Sequence, residues 1–559
     1  MDRKRTFTAI SLILLPLLAY LPHLTQELIW DSKPIIREND LLRQDFSPVA
    51  PFRSGYWQTT SQRSDGGYDY YRPLTILSFM AEKALWGLSP WGLKLVNLLL
   101  FIVALFVLRA FLRRQSAGAD GSWPGAAEAA VLLFALFPPH LDNILWVVGR
   151  CDLLMLLFGL LSLLLFDRFL EKQSPWAGLA ALLSYLLALL AKESALFFLA
   201  LFPLHELFRR RRISLPLFIP PLLLTLGYWL LKSVVIGRGG LPLRPFPGLL
   251  ENFTNLAGAL GYYARSLVFP FRYDMFLPLD AVRTAPLLVL GAASAIFLAL
   301  GLAYALRDAA GAVKPPAAAE CGMRALILGT WFWMAPFLGG ALLMVFTPIH
   351  PFSLSTRYLL LPAVGWAWFL GHALQALKPA TKRAALLLLL AASALSISLH
   401  SRKFASEGEF WKAALDSRPG ESFFLYKYAG ELLCSGEAIR AEPLLRRALQ
   451  APLKASTAAG VALHLSDIAF AQARYGESLG WLEKASTLGL DRLHEQRRRQ
   501  RLLSLHTARN DLAAAEAAVL QARPLPENLV RLYLSFAAWD KARQAARSEH
   551  VAPVDANGV

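Results

Sequence analysis

An acidic residue, Asp31, follows Trp30 at the outer end of the first apolar segment and opens a long polar loop. The loop is rich in aromatic and basic residues between Trp57 and Arg72. A carboxylate costs little at a membrane boundary if it faces water, but here cations and aromatic rings accompany it. An acid held beside a membrane with cations nearby is suited to proton abstraction next to a phosphate-bearing lipid. Asp31 is therefore the first candidate for a catalytic side chain.

The composition is that of an integral membrane protein. The chain has 559 residues, of which 55% are apolar and 17% charged, with a mean hydropathy of +0.42. Soluble domains are about a quarter charged. The net charge of +17 comes from basic residues gathered at the ends of apolar segments, which favours a role in topology over nucleic-acid binding. Three widely spaced cysteines indicate neither a disulfide framework nor a metal site.

Eleven apolar segments, several of them short, are candidates to span a bilayer. They are residues 7–24, 93–112, 126–141, 153–169, 176–191, 195–208, 215–235, 286–306, 326–346, 358–377 and 384–399. Basic clusters such as Arg113 with Arg114 fall on one side of this count, which is assigned to the cytoplasm. The first loop (26–92) and the C-terminal region are then extracytoplasmic. Segment 253–271 is interpreted as re-entrant or interfacial, and 75–86 as lying along the membrane surface.

The C-terminal region has a helical pattern with a period of 37 residues. The recurring positions are Ala441, Ser478 and Ala515, then Leu445, Leu482 and Val519, then Ala448, Ala485 and Ala522. This spacing is typical of the second helix of a tetratricopeptide repeat, with Gly436, Ala473 and Asn510 at the turn between helices. Three repeats and a capping helix at 529–546 are expected, and an unrelated α-hairpin bundle is the alternative.

The sequence thus predicts an all-α protein with two domains. Residues 1–400 form a polytopic membrane helical bundle, and residues 401–559 form a tetratricopeptide-like α-solenoid outside the cytoplasm. Such solenoids bind peptides or protein partners in a concave groove.

Four short motifs on the outer loops carry a family resemblance. They read WDSKPIIREND from Trp30 followed by YYRPL from Tyr70, LFPPHLD from Leu136 followed by Trp146 and GRCD from Gly149, AKE from Ala191, and TRYLLLP from Thr356. Here the chain resembles the transmembrane and tetratricopeptide-repeat (TMTC) O-mannosyltransferases of the C-type polytopic glycosyltransferase superfamily. It departs from the family pattern at Ser32, where a second acid usually stands, at Phe137, where a His does, and at Thr356, where an Asp does.

The resemblance implies a membrane enzyme that takes one sugar, mannose in this family, from a polyprenyl phosphate. An acceptor hydroxyl on a protein or peptide attacks the anomeric carbon with inversion, and Asp31 takes its proton as general base. Cations balance the charge that develops on the departing lipid phosphate, and the candidates are Arg72, Lys192 and Arg357. The candidates for binding sugar or acceptor are His140, Asp142, Tyr71 and Glu193. No cofactor is expected, and Ser32 argues against a metal-binding acidic pair.

Simpler roles compete with each assignment. Asp31 also fits a helix-terminal or solvated acid, and His140 with Asp142 fits a cap on the third span. Lys192 with Glu193 and Arg150 with Asp152 are alternatively self-neutralising pairs, while Arg72 and Arg357 also fit snorkelling to lipid headgroups.

For the protein as a whole, the alternative function is a non-catalytic assembly factor that recruits partners through its repeats. The expected partners of the enzyme are the lipid-linked donor, a protein or peptide acceptor and membrane lipids, with no nucleic acid. Leucine- and alanine-rich spans with short loops favour a bacterial inner membrane with periplasmic repeats, and an endoplasmic reticulum membrane with lumenal repeats is the alternative.

Overall fold

A computed structural model of the protein describes most of the chain. The described residues are 3–60, 69–115, 124–210, 212–237, 248–272, 274, 276–309, 329–331, 333–336, 338, 354–450, 453–490 and 492–515. The chain divides into two compact units, Met1–Phe410 and Trp411–Val559. Within the described residues the structure is helical, and its extended pairing is a single bridge between Leu277 and Leu354. The expected all-α fold is therefore confirmed.

The first unit is a bundle of apolar helices with short helices in its loops. The helices are α1 Arg3–Tyr20, α2 Ser32–Arg37, α3 Asp40–Arg43, α4 Pro73–Trp86, α5 Pro90–Gln115, α6 Ala126–Ala135, α7 Leu141–Ile144, α8 Arg150–Lys172, α9 Pro175–Ala191, α10 Phe198–Arg210, α11 Leu215–Ile236, α12 Leu249–Val268, α13 Ala285–Ala309, α14 Pro362–Ala373 and α15 Pro379–Ser401. Short 3-10 helices at Pro138–His140, Val147–Gly149, Glu193–Phe197 and Thr356–Leu359 lie among them. Helix α8 packs along α9 and α5, and α14 packs against α6.

In the part of the chain that the structure describes, six helices are long and apolar enough to cross a membrane by length and composition. They are Thr6–His23, Pro90–Gln115, Val147–Lys172, Leu215–Ile236, Ala285–Arg307 and Pro379–Phe404. The predicted spans at 126–141 and 176–191 correspond to the shorter apolar helices α6 and α9. Most of the predicted span at 326–346 lies outside the described residues. The count of eleven stays a prediction.

Helix α12, in the segment interpreted as re-entrant or interfacial, packs backbone to backbone against α13. A Cβ added to Gly261 would lie 1.9 Å from the carbonyl oxygen of Leu287, and one added to Gly291 would lie 1.9 Å from that of Ala257. Only glycine allows the two helix backbones to approach this closely.

Proline and glycine set the ends of the helices that lead to the outer loops. Pro73 occupies the first turn of α4, where its missing N–H removes no helical hydrogen bond. Gly87 ends the same helix with φ +87°, a conformation that costs glycine little. Pro175 likewise begins α9, which ends because Lys192 adopts an extended conformation. Arg72 and Lys192 are thus placed at helix ends, Arg72 just before α4 and Lys192 just after α9.

The second unit contains helical hairpins at the predicted period. Its helices are α17 Ser422–Cys434, α18 Ala438–Ala448, α19 Ala455–Ala471, α20 Tyr475–Thr487 and α21 Arg492–Ala508, preceded by α16 Glu407–Ser417. Helix α17 packs on α18 and α19 on α20. The three turn residues share a left-handed conformation and are Gly436 (φ +78°), Ala473 (φ +56°) and Asn510 (φ +56°).

Each of these turns closes with the same backbone hydrogen bond. The amide after the turn residue donates to the carbonyl five residues earlier, at Leu432, Ala469 and His506, over 2.8, 2.8 and 2.9 Å. This is the hydrogen bond of a Schellman motif, which satisfies a carbonyl at the helix end. The recurring small and apolar positions of the second helices in the described repeats are fully buried. The tetratricopeptide assignment stays a prediction, and the capping helix at 529–546 lies outside the described residues.

Candidate active site

Four of the residues singled out in the sequence meet in one cluster of charged and aromatic side chains. Arg72 precedes α4, Lys192 follows α9, Glu193 begins the next 3-10 helix, and Arg357 lies in the 3-10 helix Thr356–Leu359. These elements surround the first turn of α8, which contributes Cys151 and Asp152. The cluster therefore collects residues from four distant parts of the first unit.

The segment that carries Arg72 is anchored by a buried acid. The Asp69 carboxylate accepts hydrogen bonds from the backbone amides of Trp57 (2.9 Å), Gln58 (2.9 Å) and Tyr70 (2.6 Å). Burial raises the pKa of Asp69, and the three amide hydrogen bonds oppose that rise by favouring the charged form. This tie between two parts of the loop holds the chain at the start of α4 and so orients Arg72.

Arg72 and Glu193 form a two-point ion pair. The Nε of Arg72 donates to Oε2 of Glu193 over 3.0 Å and Nη2 donates to Oε1 over 2.5 Å. Burial opposes ionisation of Glu193, but the adjacent guanidinium outweighs it and lowers the pKa of this carboxyl to about 2. The Arg72 guanidinium also lies over the ring of Tyr70, 4.1 Å from its centroid, and Nη1 contacts Sγ of Cys151 at 3.7 Å. Both charges are thus fixed in place.

Lys192 pairs with Asp152. Both residues are buried, and Asp152 follows Cys151, so this pair adjoins the Arg72–Glu193 pair. Two alternatives from the sequence are therefore corrected. Lys192 and Glu193 form their salt bridges with Asp152 and Arg72 and not with one another, because the extended backbone at Lys192 directs consecutive side chains to different partners.

Arg150 is not paired with Asp152 either. Its Nη1 lies 3.0 Å from Oε2 of Glu82, and its Nε donates to Oδ1 of Asn97 over 2.8 Å. Glu82 is buried, which differs from a helix lying on the membrane surface with its charges in water. Positions two apart on a helix do not face each other, so Arg150 and Asp152 leave α8 on different sides.

Arg357 differs from the other two cations because no carboxylate among the described residues forms a salt bridge with it. Its Nη2 donates to the hydroxyl of Tyr358 over 3.0 Å, and its buried Nε has no hydrogen-bond partner among the described residues. The guanidinium lies over the indole of Trp146, 4.9 Å from the ring centroid. Nζ of Lys192 lies 5.6 Å from the centroid of the same Tyr358 ring. Tyr358 therefore connects Arg357 to the Lys192–Asp152 pair.

Asp31 is connected to this cluster through the preceding residue, Trp30. Trp30 stacks on Trp146 with ring centroids 5.3 Å apart and packs edge-on against Phe276 at 4.8 Å. Trp30 has a φ of +42°, which is strained for a residue with a side chain, and its aromatic contacts offset that cost. Asp31 occupies the N-cap position of α2, is half-buried and makes no capping hydrogen bond to that helix.

The hydroxyl of Tyr56 is buried near both Asp31 and Arg72. It interacts electrostatically with both Asp31 and Arg72, and it has no hydrogen-bond partner among the described residues. Burial, with the nearby Cys151 and Asp31, raises the pKa of this phenol well above its ordinary value. Tyr56 is therefore a neutral hydroxyl that interacts with both a carboxylate and cations and is able to donate or accept a hydrogen bond.

The chain is similar to known proteins over part of its length. No family model matches it. The mouse protein O-mannosyl-transferase TMTC2 is 32% identical over 154 residues, which is 27% of this chain and 17% of that relative, and the human TMTC2 matches to the same extent. The Drosophila melanogaster protein O-mannosyl-transferase Tmtc3 is 31% identical over 203 residues, 32% of this chain and 22% of that relative. The chain resembles the TMTC O-mannosyltransferases.

The resemblance suspected from four short motifs is thereby confirmed, over about a third of the chain or less. The matches span less than a quarter of the length of these TMTC relatives. Together with the long apolar helices, the TMTC resemblance identifies an integral membrane protein.

The other candidate residues of the TMTC motifs have different surroundings. His140 is fully buried among the rings of Phe101, Phe134 and Phe137, at 4.5 to 5.4 Å between centroids. Asp142 interacts electrostatically with Tyr262 and Lys403.

Tyr71 is also fully buried, and its hydroxyl donates to the carbonyl of Phe52 over 3.0 Å. These contacts position the backbone beside Arg72. A role for Tyr71, His140 or Asp142 in binding sugar or acceptor stays a prediction.

Several residues of the cluster were not among the sequence candidates, and they include Asp152, Trp146 and Tyr358. Asp152 and Trp146 belong to one TMTC-like motif and Tyr358 to another, so a signal was present. Their roles depend on partners from other loops, which spacing along the chain does not reveal.

Proposed function

We propose that the protein is a membrane glycosyltransferase that moves one sugar, mannose by its resemblance, from a polyprenyl phosphate to a hydroxyl of a protein or peptide. The observation that supports this most directly is the position of Arg357. Its guanidinium lies over Trp146, Trp146 stacks on Trp30, and Trp30 is followed by Asp31. A cation that forms no salt bridge with a carboxylate among the described residues is thus linked to a half-buried acid by two stacked rings.

Asp31 acts as general base in this proposal. The acceptor hydroxyl attacks the anomeric carbon from the face opposite the phosphate, and its proton passes to the Asp31 carboxylate. The bond between the anomeric carbon and the phosphate oxygen breaks, and the polyprenyl phosphate leaves with the electron pair. The sugar configuration inverts because attack and departure occur on opposite faces.

Arg357 balances the charge that the leaving phosphate gains. It presents planar donors, and a buried Nε without a partner among the described residues is available to a phosphate oxygen. Lys192 adds a second positive charge beside Tyr358, and its pair with Asp152 keeps the ammonium in position. Arg72 is already held at two points by Glu193, so it contributes to the field around the phosphate rather than a full fork of donors.

The acceptor is proposed to be held by the helical hairpins of the second unit, on the extracytoplasmic side of a bacterial inner membrane or, alternatively, of the endoplasmic reticulum. Tyr56 and Glu193 are the polar groups of the cluster that a sugar or acceptor hydroxyl would meet.

The test uses the full chain, purified in detergent, with radiolabelled polyprenyl-phosphate mannose and a serine- and threonine-rich peptide. Transfer of label to the peptide supports the proposal. Binding of a partner protein with no consumption of donor would overturn it in favour of a scaffold. The departures from the family pattern at Ser32, Phe137 and Thr356 give that second function its weight.

A further inference from the structure

An apolar groove of about 500 Å³ lies between α9 and α11. Leucines form most of both walls, from Leu179 to Leu190 on α9 and from Leu223 to Leu231 on α11. Pro220 lies at one end, and Gly227 leaves part of the α11 wall without a side chain. Over eleven residues a helix rises about 16 Å, so the α9 wall is long enough for several isoprene units.

Both walls of the groove lead to the charged cluster. Leu190 on α9 stands two residues before Lys192, and Leu231 on α11 stands immediately before Lys232. Tyr228 lines the groove, and its hydroxyl donates to the carbonyl of Tyr71 over 3.0 Å, next to Arg72. The groove is therefore continuous with the elements that carry the proposed phosphate site.

Lys232 lies on the last turn of α11, at the end of the groove nearest this cluster. It is buried, and its Nζ lies 4.8 Å from the centroid of the Trp229 ring. It interacts electrostatically with Glu193 and Arg72. A basic residue buried within an apolar membrane helix is costly and usually serves a function.

We propose that the groove between α9 and α11 binds the isoprenoid chain of a polyprenyl phosphate, with Lys232 facing the phosphate. The proposal rests on the proposed function and deepens it. A sugar or a peptide does not suit the groove, because leucine side chains offer their polar groups no hydrogen bonds and the hydroxyl of Tyr228 is already bonded. An apolar chain that ends in an anion matches a leucine-lined groove that ends in a lysine.

Gly227→Trp tests the groove by filling it. A Cβ at Gly227 meets nothing within 4 Å, so the new side chain enters the groove without striking the backbone. Leu226→Trp is the matched control, because Leu226 is exposed and lies outside the groove lining. Gly227→Trp should raise the KM for a long-chain donor at least about tenfold, because the indole fills the groove. The KM for a donor with a single prenyl unit should stay unchanged. Leu226→Trp should change neither.

A second measurement does not depend on transfer. A sugar-free polyprenyl phosphate with a diazirine on its chain should crosslink to segments 179–190 and 220–231, and Gly227→Trp should reduce the yield. Excess unlabelled polyprenyl phosphate should displace the probe, and the same concentration of phosphatidylglycerol should not. Lys232→Gln should reduce the preference for polyprenyl phosphate over the corresponding alcohol without abolishing it, because Arg357 and Lys192 remain, and an unchanged preference would contradict the role of Lys232.

The outcomes separate this proposal from the proposed function. Equal displacement by phosphatidylglycerol would show a groove for bulk lipid and overturn the proposal. If the wild-type chain transfers sugar and Gly227→Trp leaves the KM for the long-chain donor unchanged, the groove proposal is also overturned. The glycosyltransferase proposal would then still stand. Specific crosslinking without any sugar transfer would support the groove as a site for polyprenyl phosphate and would contradict the proposed glycosyltransferase reaction.

Discussion

The indole rings of Trp30 and Trp146 stack with centroids 5.3 Å apart and planes 9° apart. The two residues are 116 positions apart in the chain, and each precedes a functional element. Trp30 precedes Asp31 at the start of α2, and Trp146 precedes the 3-10 helix that leads into α8. This contact places the proposed base beside the proposed phosphate site and makes the following consequences testable.

Asp31→Asn should lower kcat for sugar transfer roughly 100- to 10,000-fold, because asparagine keeps the shape of the side chain but cannot accept the proton. Binding of polyprenyl phosphate and the unfolding temperature should not change. Asp45→Asn, which alters an exposed acid of the same loop, is the control. Full activity of Asp31→Asn would contradict the assignment of Asp31 as the general base.

Arg357→Gln should lower kcat roughly 100- to 1000-fold, because the leaving phosphate loses its principal cation. Arg357→Lys should recover only part of the rate, since an ammonium keeps the charge without the planar fork of donors. Arg53→Gln removes an exposed arginine of the first loop and should have no effect. Steady-state kinetics with mannose donor distinguishes these variants, and equal kcat in Arg357→Gln and wild type would contradict the assignment.

Arg72→Gln should destabilise the protein by about 3–5 kcal/mol, because it leaves the buried Glu193 carboxylate without its partner. The double variant Arg72→Gln with Glu193→Gln should recover much of that loss, since no uncompensated charge remains. Thermal unfolding in detergent measures the coupling between the two sites. Additive losses would mean that the two-point pair contributes little.

The stability of the first unit should depend on Glu193 at acid pH. Its pKa is lowered from 4.5 in the unfolded chain to about 2 in the folded protein, so the unfolded state binds a proton first as pH falls. The stabilisation is fully present above about pH 4.5 and is lost progressively as pH falls towards 2. Unfolding temperatures across this range should fall less steeply in Glu193→Gln than in wild type, and parallel curves would contradict the shift.

The repeat turns predict opposite effects for two substitutions 37 positions apart. Gly436→Ala should destabilise the second unit by about 1 kcal/mol, because φ is +78° and the added Cβ strains the turn. Ala473→Gly relieves the same strain at φ +56° and should be neutral or slightly stabilising, since the gain is reduced by the flexibility of glycine in the unfolded chain. Chemical unfolding followed by circular dichroism measures both. Destabilisation by both changes would contradict the common role of the turns.

Features that repeat over short distances could be predicted from the sequence. Apolar length indicated membrane helices because a bilayer imposes a minimum span, and the described helices agree with an all-α fold. The 37-residue period located the three turn residues, since each helical hairpin buries the same positions against its neighbour. The motifs also named Arg72, Lys192 and Arg357, all of which meet in the cluster.

The partners of those residues were decided by the tertiary structure alone. Glu193 lies 121 positions from Arg72, and Asp152 lies 40 positions from Lys192, so neither pair has a signature in local spacing. Closeness in sequence suggested Lys192 with Glu193 and Arg150 with Asp152. The extended backbone at Lys192 and the two-residue spacing on helix α8 instead direct the side chains of each pair to different partners. The sequence by itself determined which charges lie at the ends of apolar segments, because hydropathy and helix ends are local properties. Only packing of distant helices decided that Arg72 and Lys192 have carboxylate partners and that Arg357 has none among the described residues.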